Sequence, residues 1–179
     1  ANQQCLEAAF QQLAGDTAMT SETIRVAGRD IIIDKVAGDI GYASFASLCD
    51  VPLAARDYLA IAGRFAVLVL ADIPQFTESN EHLARRFMWL IDALYDRGRF
   101  LVASAVTDIE TLYAGHQWQF EFDRTASRLG EMVARGQPME GFVPRTEVYS
   151  IDEAFLDLDT LKKKNYDLYD FGCHIRTLV

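Results

Sequence analysis

The feature that most constrains the fold is an unbroken apolar run, Phe65 to Ala71, which is followed at once by Asp72. A run of this length without polar alternation is typical of a strand buried on both faces of a sheet. The preceding segment, Leu53 to Arg64, places its apolar residues at helix-compatible spacing. The pattern therefore predicts an α/β domain in which a helix leads into a core strand that ends at an acidic residue.

Helix and strand signals continue to alternate after this run. Ser79 or Asn80 can cap the next helix, whose apolar residues recur at helical spacing. Residues 99–105 are a second candidate for a buried strand, a short helix is expected through residues 112–113, and residues 124–135 form the last predicted helix of this region. Strand, helix, strand and helix in this order imply parallel strands joined by right-handed crossovers.

Turn residues complete the predicted organisation. Short β-rich runs around Gly28 indicate an N-terminal hairpin over residues 24–33, and glycine and proline at residues 136–141 give the clearest break in the chain. We therefore predict an α/β domain over residues 1–137, with a parallel-type core and an N-terminal β-hairpin. Residues 138–179 are expected to form a small β-hairpin followed by a helix.

Charge and cysteine content exclude several classes of function. Acidic residues outnumber basic ones by 26 to 17, and the formal net charge of −9 repels phosphate polymers. The three cysteines are far apart and form no CxxC pair, which argues against a disulfide framework and a zinc site. No apolar run is long enough to cross a bilayer. We expect a cytoplasmic protein without a membrane partner.

About residues 5–135 resemble the ZapE-type family of AAA ATPases. The order and spacing of the matching stretches make this resemblance specific. The stretches are Val26–Asp30, Phe45–Cys49, Pro52–Ala62, Ala71–Pro74, Arg85–Phe87, Leu90–Asp96 and Phe122–Met132.

The resemblance implies the C-terminal half of an ATPase whose nucleotide-binding half precedes the matched region. Binding of phosphate by a GxxxxGKS or GxxxxGKT loop is required for hydrolysis in such enzymes, and this sequence contains neither motif. We therefore expect Mg²⁺ and ATP to bind only when missing regions complete the site, and no hydrolysis by this chain alone. The resemblance also implies a protein partner in the division machinery and is compatible with a homo-oligomer.

Asp72 and Ser104 repeat the layout of a Walker B strand followed by a sensor strand. In that layout the acid would hold a metal ion and the polar residue would sense phosphate. Related sequences carry two consecutive acids before Ile-Pro, whereas this chain has Ala71 before Asp72. We therefore favour a turn-capping or strand-end role for Asp72 over a metal-binding one.

Four arginines are candidates for contacts to nucleotide bound by a neighbouring subunit: Arg85, Arg86, Arg124 and Arg128. A planar guanidinium suits the charge that develops on phosphoryl oxygens. The alternative is an ordinary helix surface. Arg124 and Arg128 are four residues apart, with Asp123 and Glu131 nearby, so ion pairs within one helix would explain them at little energetic value.

The last part of the chain resembles the palm of UmuC-type Y-family DNA polymerases. The resemblance rests on Glu147–Leu158, Asp170–Gly172 and Ile175–Arg176. In that family Asp152 would bind magnesium and Glu153 would assist near the primer end, with DNA as the partner. The family's other metal-binding aspartate, its fingers and its little finger have no counterpart here. For this chain we therefore favour an inert hairpin.

Four interpretations remain open from the sequence: a part of an ATPase, a non-catalytic interaction module, a polymerase fragment, or two segments joined artificially. The ATPase-like stretch covers about three quarters of the chain, so the first interpretation is our primary one.

Overall fold

The computed structural model of the chain describes residues 2–135, which form a five-stranded sheet with α-helices on both of its faces. The helices are α1 (Asn2–Ala14), α2 (Phe45–Cys49), α3 (Ala55–Arg64), α4 (Glu81–Asp96) and α5 (Gln119–Arg135), with short 3-10 helices at Glu78–Asn80 and Ile109–Thr111. The strands are β1 (Thr20–Val26), β2 (Arg29–Ala37), β3 (Ile40–Ser44), β4 (Val67–Ile73) and β5 (Phe100–Ala105).

The strands lie in the order β1-β2-β3-β4-β5. The first three are antiparallel neighbours, whereas β3, β4 and β5 run parallel to one another. The α/β prediction is therefore confirmed, including the hairpin and the parallel core. Because parallel strands share direction, the carboxyl ends of β3, β4 and β5 meet at one edge of the sheet.

The unbroken apolar run forms the centre of the molecule. Leu68 and Leu70 of β4 face the core that α2 to α5 cover, while Val67, Val69 and Ala71 face α1. Burial on both faces explains why the run contains no polar residue. Strand β4 begins two residues later than predicted, since the N–H of Phe65 still donates to Ile61 at the end of α3.

The predicted hairpin forms around a tight turn. Ala27 and Gly28 have φ values of 47° and 81°, so both lie in the left-handed region that two-residue hairpin loops of the mirror type require. The antiparallel pairing of β1 and β2 places Val26 opposite Arg29. Glycine at the second position accepts this conformation without steric cost.

Several elements were not predicted. They are α1, β3 and α2, and α5 begins at Gln119 rather than at residue 124. The helix expected through residues 112–113 is a 3-10 turn at Ile109–Thr111. Strand β3 contains Gly41, where a Cβ atom would lie 3.1 Å from the ring of Phe65, so close packing across the sheet accounts for glycine inside this strand.

The predicted break at residues 136–141, and the hairpin and helix predicted for residues 138–179, lie outside the described residues. Within residues 2–135, no helix combines the length and apolar character that crossing a bilayer would require.

Candidate functional site

The carboxyl edge of the parallel strands carries the predicted pair, Asp72 and Ser104. The backbone N–H of Asp72 donates to Ser104 Oγ at 2.9 Å. Ser104 is buried, whereas the side chain of Asp72 is exposed and its φ is +62°, in the left-handed region. The carboxyl-terminal parts of β4 and β5 are therefore joined through the Asp72 backbone.

The described residues do not form a complete metal site at this edge. Residues 2–135 contain no group of three or more His, Cys, Asp or Glu side chains placed to hold a metal ion. Mg²⁺ prefers near-octahedral oxygen ligation, usually with carboxylates and substrate phosphates. Metal binding by Asp72 stays a prediction, and the hydrogen bond at its backbone fits the strand-end role that we favoured.

Three of the four candidate arginines are held by contacts within the domain. Arg86 donates to the carbonyl oxygen of Cys49 at 3.1 Å. Arg124 donates to Asp92 Oδ2 at 3.1 Å, and Arg128 donates to the other oxygen of the same carboxylate. Arg128 also lies 3.8 Å from Asp96 Oδ1.

These ion pairs differ from the predicted ones. We expected Arg124 and Arg128 to pair within their own helix, with Asp123 or Glu131. They instead reach across to Asp92, so their ion pairs join α5 to α4. The sequence spacing along α5 could not reveal this partner, because it lies on another helix.

Arg85 has different surroundings. Its guanidinium carbon lies 5.0 Å from the ring centre of Trp89 and 5.1 Å from that of Trp118, and these are the only two tryptophans of the chain. The side chain is exposed. Among the described side chains, none forms a hydrogen bond or an ion pair with it. Within the described part of the chain, the N–H groups of Arg85 are therefore available to a ligand.

A carboxylate at the start of α4 holds the loop that carries Trp118. Glu81 Oε1 accepts hydrogen bonds from the Tyr113 hydroxyl at 2.8 Å, the N–H of His116 at 2.7 Å and the N–H of Gln117 at 3.0 Å. The Tyr113 hydroxyl in turn accepts from the N–H of Trp118 at 2.8 Å. The Gln117 N–H and the Tyr113 hydroxyl lower the pKa of Glu81 from its ordinary value of 4.5.

The same loop is attached to the strand edge. Phe76, which follows β4, donates its N–H to the carbonyl of Leu112 and accepts from the N–H of Ala114. Beneath it, the ring of Phe122 stacks on Tyr113 at 4.9 Å and packs against Phe76 at 5.6 Å. The Asp72 edge and the Arg85 surface are thus parts of one packed unit.

The other reactive side chains of note are Cys49, His116, Asp152 and Glu153. Cys49 is buried, and burial raises its pKa to about 12, so it is not an activated nucleophile. His116 Nε2 lies 3.2 Å from Glu78 Oε1 on the exposed surface. Asp152 and Glu153, the predicted catalytic pair and the second metal prediction, lie outside the described residues.

Sequence reasoning missed the residues that surround Arg85. Glu81 and Tyr113 are 32 residues apart, and no local spacing connects them. The sequence offered one hint of these surroundings, which is that both tryptophans of the chain lie within the segment from α4 to α5.

The parallel strands, with helices on both faces and polar groups at their carboxyl ends, define an α/β domain of the class that places its sites at this edge. Residues 1–139 match the profile of the AFG1-like ATPases. The chain belongs to the AFG1-like ATPase family.

Relatives agree with this assignment. Cell division protein ZapE of Escherichia coli K12 is 36% identical over 120 residues, which cover 67% of this chain and 32% of that protein. Lactation elevated protein 1 homolog B of Danio rerio is 29% identical over 161 residues, with 71% of this chain and 32% of that protein covered. An uncharacterized protein of Schizosaccharomyces pombe is 36% identical over 92 residues, 51% of this chain and 20% of that protein.

The chain thus spans a third or less of the length of these relatives. The family match ends at residue 139, and these comparisons give no support to a UmuC-type segment beyond it. No solved structure matches the chain significantly.

Proposed function

We propose that this chain is the C-terminal part of a ZapE-like ATPase and that it contributes Arg85 to nucleotide bound by a neighbouring subunit. The observation that carries the proposal is the state of Arg85, an exposed guanidinium that contacts two indoles and has no acidic partner among the described side chains. Membership of the AFG1-like family and the similarity to ZapE support the ATPase part.

Charge balance favours Arg85 over the other three arginines. Arg124 and Arg128 share the carboxylate of Asp92, so a phosphate would have to displace an existing ion pair. Arg86 is engaged by a backbone carbonyl. Phosphate binding by Arg85 would displace no ion pair among the described residues. Its contacts to the two rings could largely persist, because a guanidinium can stack on a ring while its N–H groups bind oxygens.

In this proposal the chain supplies the positive charge of Arg85, and a nucleotide-binding region outside these 179 residues supplies the phosphate loop. ATP and Mg²⁺ bind through a phosphate loop that these 179 residues do not contain. Arg85 approaches the phosphoryl oxygens from an adjacent subunit in a homo-oligomer and stabilises the charge that develops during transfer. The name of the relative, cell division protein ZapE, supports a role in division, and a cytoplasmic location with a partner in the division machinery stays part of the proposal.

A second candidate is a non-catalytic interaction module that binds a partner protein of the division machinery. Phe120, the second residue of α5, is 85% exposed, far more than the other large apolar side chains of the described region. An exposed aromatic residue beside Trp118 suits a protein interface, where aromatic residues are enriched. No observation within residues 2–135 favours the polymerase fragment or an artificial join.

Hydrolysis measurements test the proposal. The 179-residue chain alone should hydrolyse no ATP above background. When the nucleotide-binding half of the Escherichia coli relative is fused in front of it, hydrolysis should appear, and Arg85→Ala should lower kcat by about a thousandfold, the range reported for a trans-acting arginine.

The matched control is Arg56→Ala, which removes an exposed arginine of α3 and should leave kcat unchanged. Equal kcat values for the Arg85→Ala and Arg56→Ala fusions would contradict the role of Arg85. Hydrolysis by the 179-residue chain alone would contradict the expectation that this chain needs a phosphate loop from another region to hydrolyse ATP.

A further inference from the structure

We propose that Glu81 is a positioning residue that clamps the loop of residues 113–118, holds Trp118 over Arg85 and keeps Arg85 free of an internal ion pair. The inference rests on the proposed function of Arg85, because it names how that residue is made available. When the clamp opens, Glu81 is released to pair with Arg85, which switches the guanidinium off.

Helix α4 carries three of the side chains involved on one stripe of its surface. Glu81, Arg85 and Trp89 are spaced by four residues on α4, so their side chains lie along one stripe of the helix. Glutamate four residues before arginine is the arrangement that normally forms an ion pair on a helix surface. No such pair forms here, since the nitrogens of Arg85 lie beyond ion-pair distance of the Glu81 carboxylate.

The loop explains why this ion pair is absent. Three hydrogen bonds converge on Glu81 Oε1, two of them from backbone N–H groups that would otherwise need water. Hydrogen bonds to an ionised acceptor are stronger than those between neutral groups. The loop therefore competes with Arg85 for the carboxylate and holds it in the observed structure.

Gly115 shows how closely the loop fits. A Cβ atom at this position would fall on Glu81 Oε1 and would lie 2.8 Å from the Tyr113 hydroxyl. Space, rather than backbone conformation, therefore requires glycine here. A side chain at residue 115 would push the carboxylate out of the clamp.

The clamp reaches Arg85 through Trp118. The N–H of Trp118 donates to the Tyr113 hydroxyl, which donates to Glu81, so one chain of hydrogen bonds fixes the backbone of Trp118. The indole of the same residue contacts the Arg85 guanidinium. Loss of the carboxylate should therefore loosen Trp118 and, through it, the orientation of Arg85.

Tryptophan fluorescence tests the clamp without any nucleotide. With Trp89→Phe in the background, Trp118 is the only fluorophore of its kind in the chain. In that background, Glu81→Ala and Gly115→Ala should each raise the acrylamide quenching constant of Trp118 at least about twofold, as for a side chain exposed by local opening. Glu110→Ala is the control and should change nothing, because the Glu110 side chain is exposed and forms no hydrogen bond or ion pair with the other described residues.

A second readout separates the switch from simple structural support. Tyr113→Phe keeps the buried ring but removes the hydroxyl that donates to Glu81 and accepts from Trp118. This variant keeps the two backbone donors to Glu81, so it should raise the quenching of Trp118 without releasing the carboxylate. Gly115→Ala displaces the charged carboxylate, which should then neutralise Arg85, so quenching by iodide should fall relative to quenching by caesium. A double variant with Glu81→Gln should restore the iodide preference, because glutamine cannot neutralise arginine.

The two proposals can fail separately. If Tyr113→Phe and Glu81→Ala remain folded by circular dichroism and Trp118 quenching is unchanged, the clamp is wrong whatever Arg85 does in hydrolysis. If Glu81→Ala does not fold, Tyr113→Phe alone decides. If the quenching changes occur but the Arg85→Ala fusion hydrolyses ATP normally, the clamp exists and the proposed function of Arg85 fails.

Discussion

The surroundings of Arg85, Arg124 and Arg128 depend on which nearby carboxylates are already engaged by other groups. Asp92 is shared by Arg124 and Arg128, and Glu81 is engaged by the loop before α5. Arg85, which lies between these carboxylates on α4, contacts aromatic rings instead. Whether an arginine is available to a ligand therefore depends on hydrogen bonds that its neighbouring carboxylates make to other residues. Sequence spacing alone does not show these hydrogen bonds.

The left-handed backbone conformation of Asp72 should lower the stability of the domain, and this cost can be measured. Its φ of +62° is unfavourable for a residue with a Cβ atom, by about 1–2 kcal/mol, and aspartate is one of the few types that tolerate it. Asp72→Gly and Asp72→Ala both remove the carboxylate, so their difference isolates the backbone. We expect the glycine variant to be more stable by about 1 kcal/mol, measured by urea unfolding. Equal stabilities would show that this left-handed conformation is not needed.

Individual elements are joined by a small number of polar contacts between parts distant in sequence. The β1–β2 hairpin is attached to α3 because Arg29 donates to Asp57 Oδ2 at 3.0 Å and to the carbonyl of Pro52 at 2.9 Å. Asp57 is completely buried, and its Oδ1 has no hydrogen-bond partner among the described residues. The hairpin therefore supplies the cation that this buried carboxylate depends on.

Removing that cation should destabilise the domain. Arg29→Ala leaves a buried carboxylate without its charged partner, and such changes cost about 3 kcal/mol. Chemical denaturation of the variant and the wild type measures this loss.

The same hairpin offers a matched control. Arg25 pairs with Asp30 at 2.8 Å, but both side chains are largely exposed, so Arg25→Ala should leave the free energy of unfolding unchanged. A loss for Arg29→Ala no larger than that for Arg25→Ala would contradict the account of the hairpin.

For the whole molecule, local patterns in the sequence predicted the parts whose structure is decided locally. The apolar run of β4, the glycine turn of the hairpin and the apolar stripe of α4 each correspond to an element of the structure. Strand β3 was missed because Gly41 weakens its pattern, and its place depends on parallel pairing with β4. The contact of Glu81 with Tyr113 was also missed, because it forms only when α4 and the loop before α5 pack together.

Complementation tests the central claim most directly, because it asks whether Arg85 acts from a neighbouring molecule. The fusion that carries Arg85→Ala retains its phosphate loop and should hydrolyse ATP slowly. We predict that adding the wild-type 179-residue chain restores hydrolysis, since mixed oligomers present an intact Arg85 to the bound nucleotide. The same chain with Arg85→Ala should give no restoration. Equal rates with the two added chains would contradict the claim that this part of the protein supplies Arg85 to its neighbour.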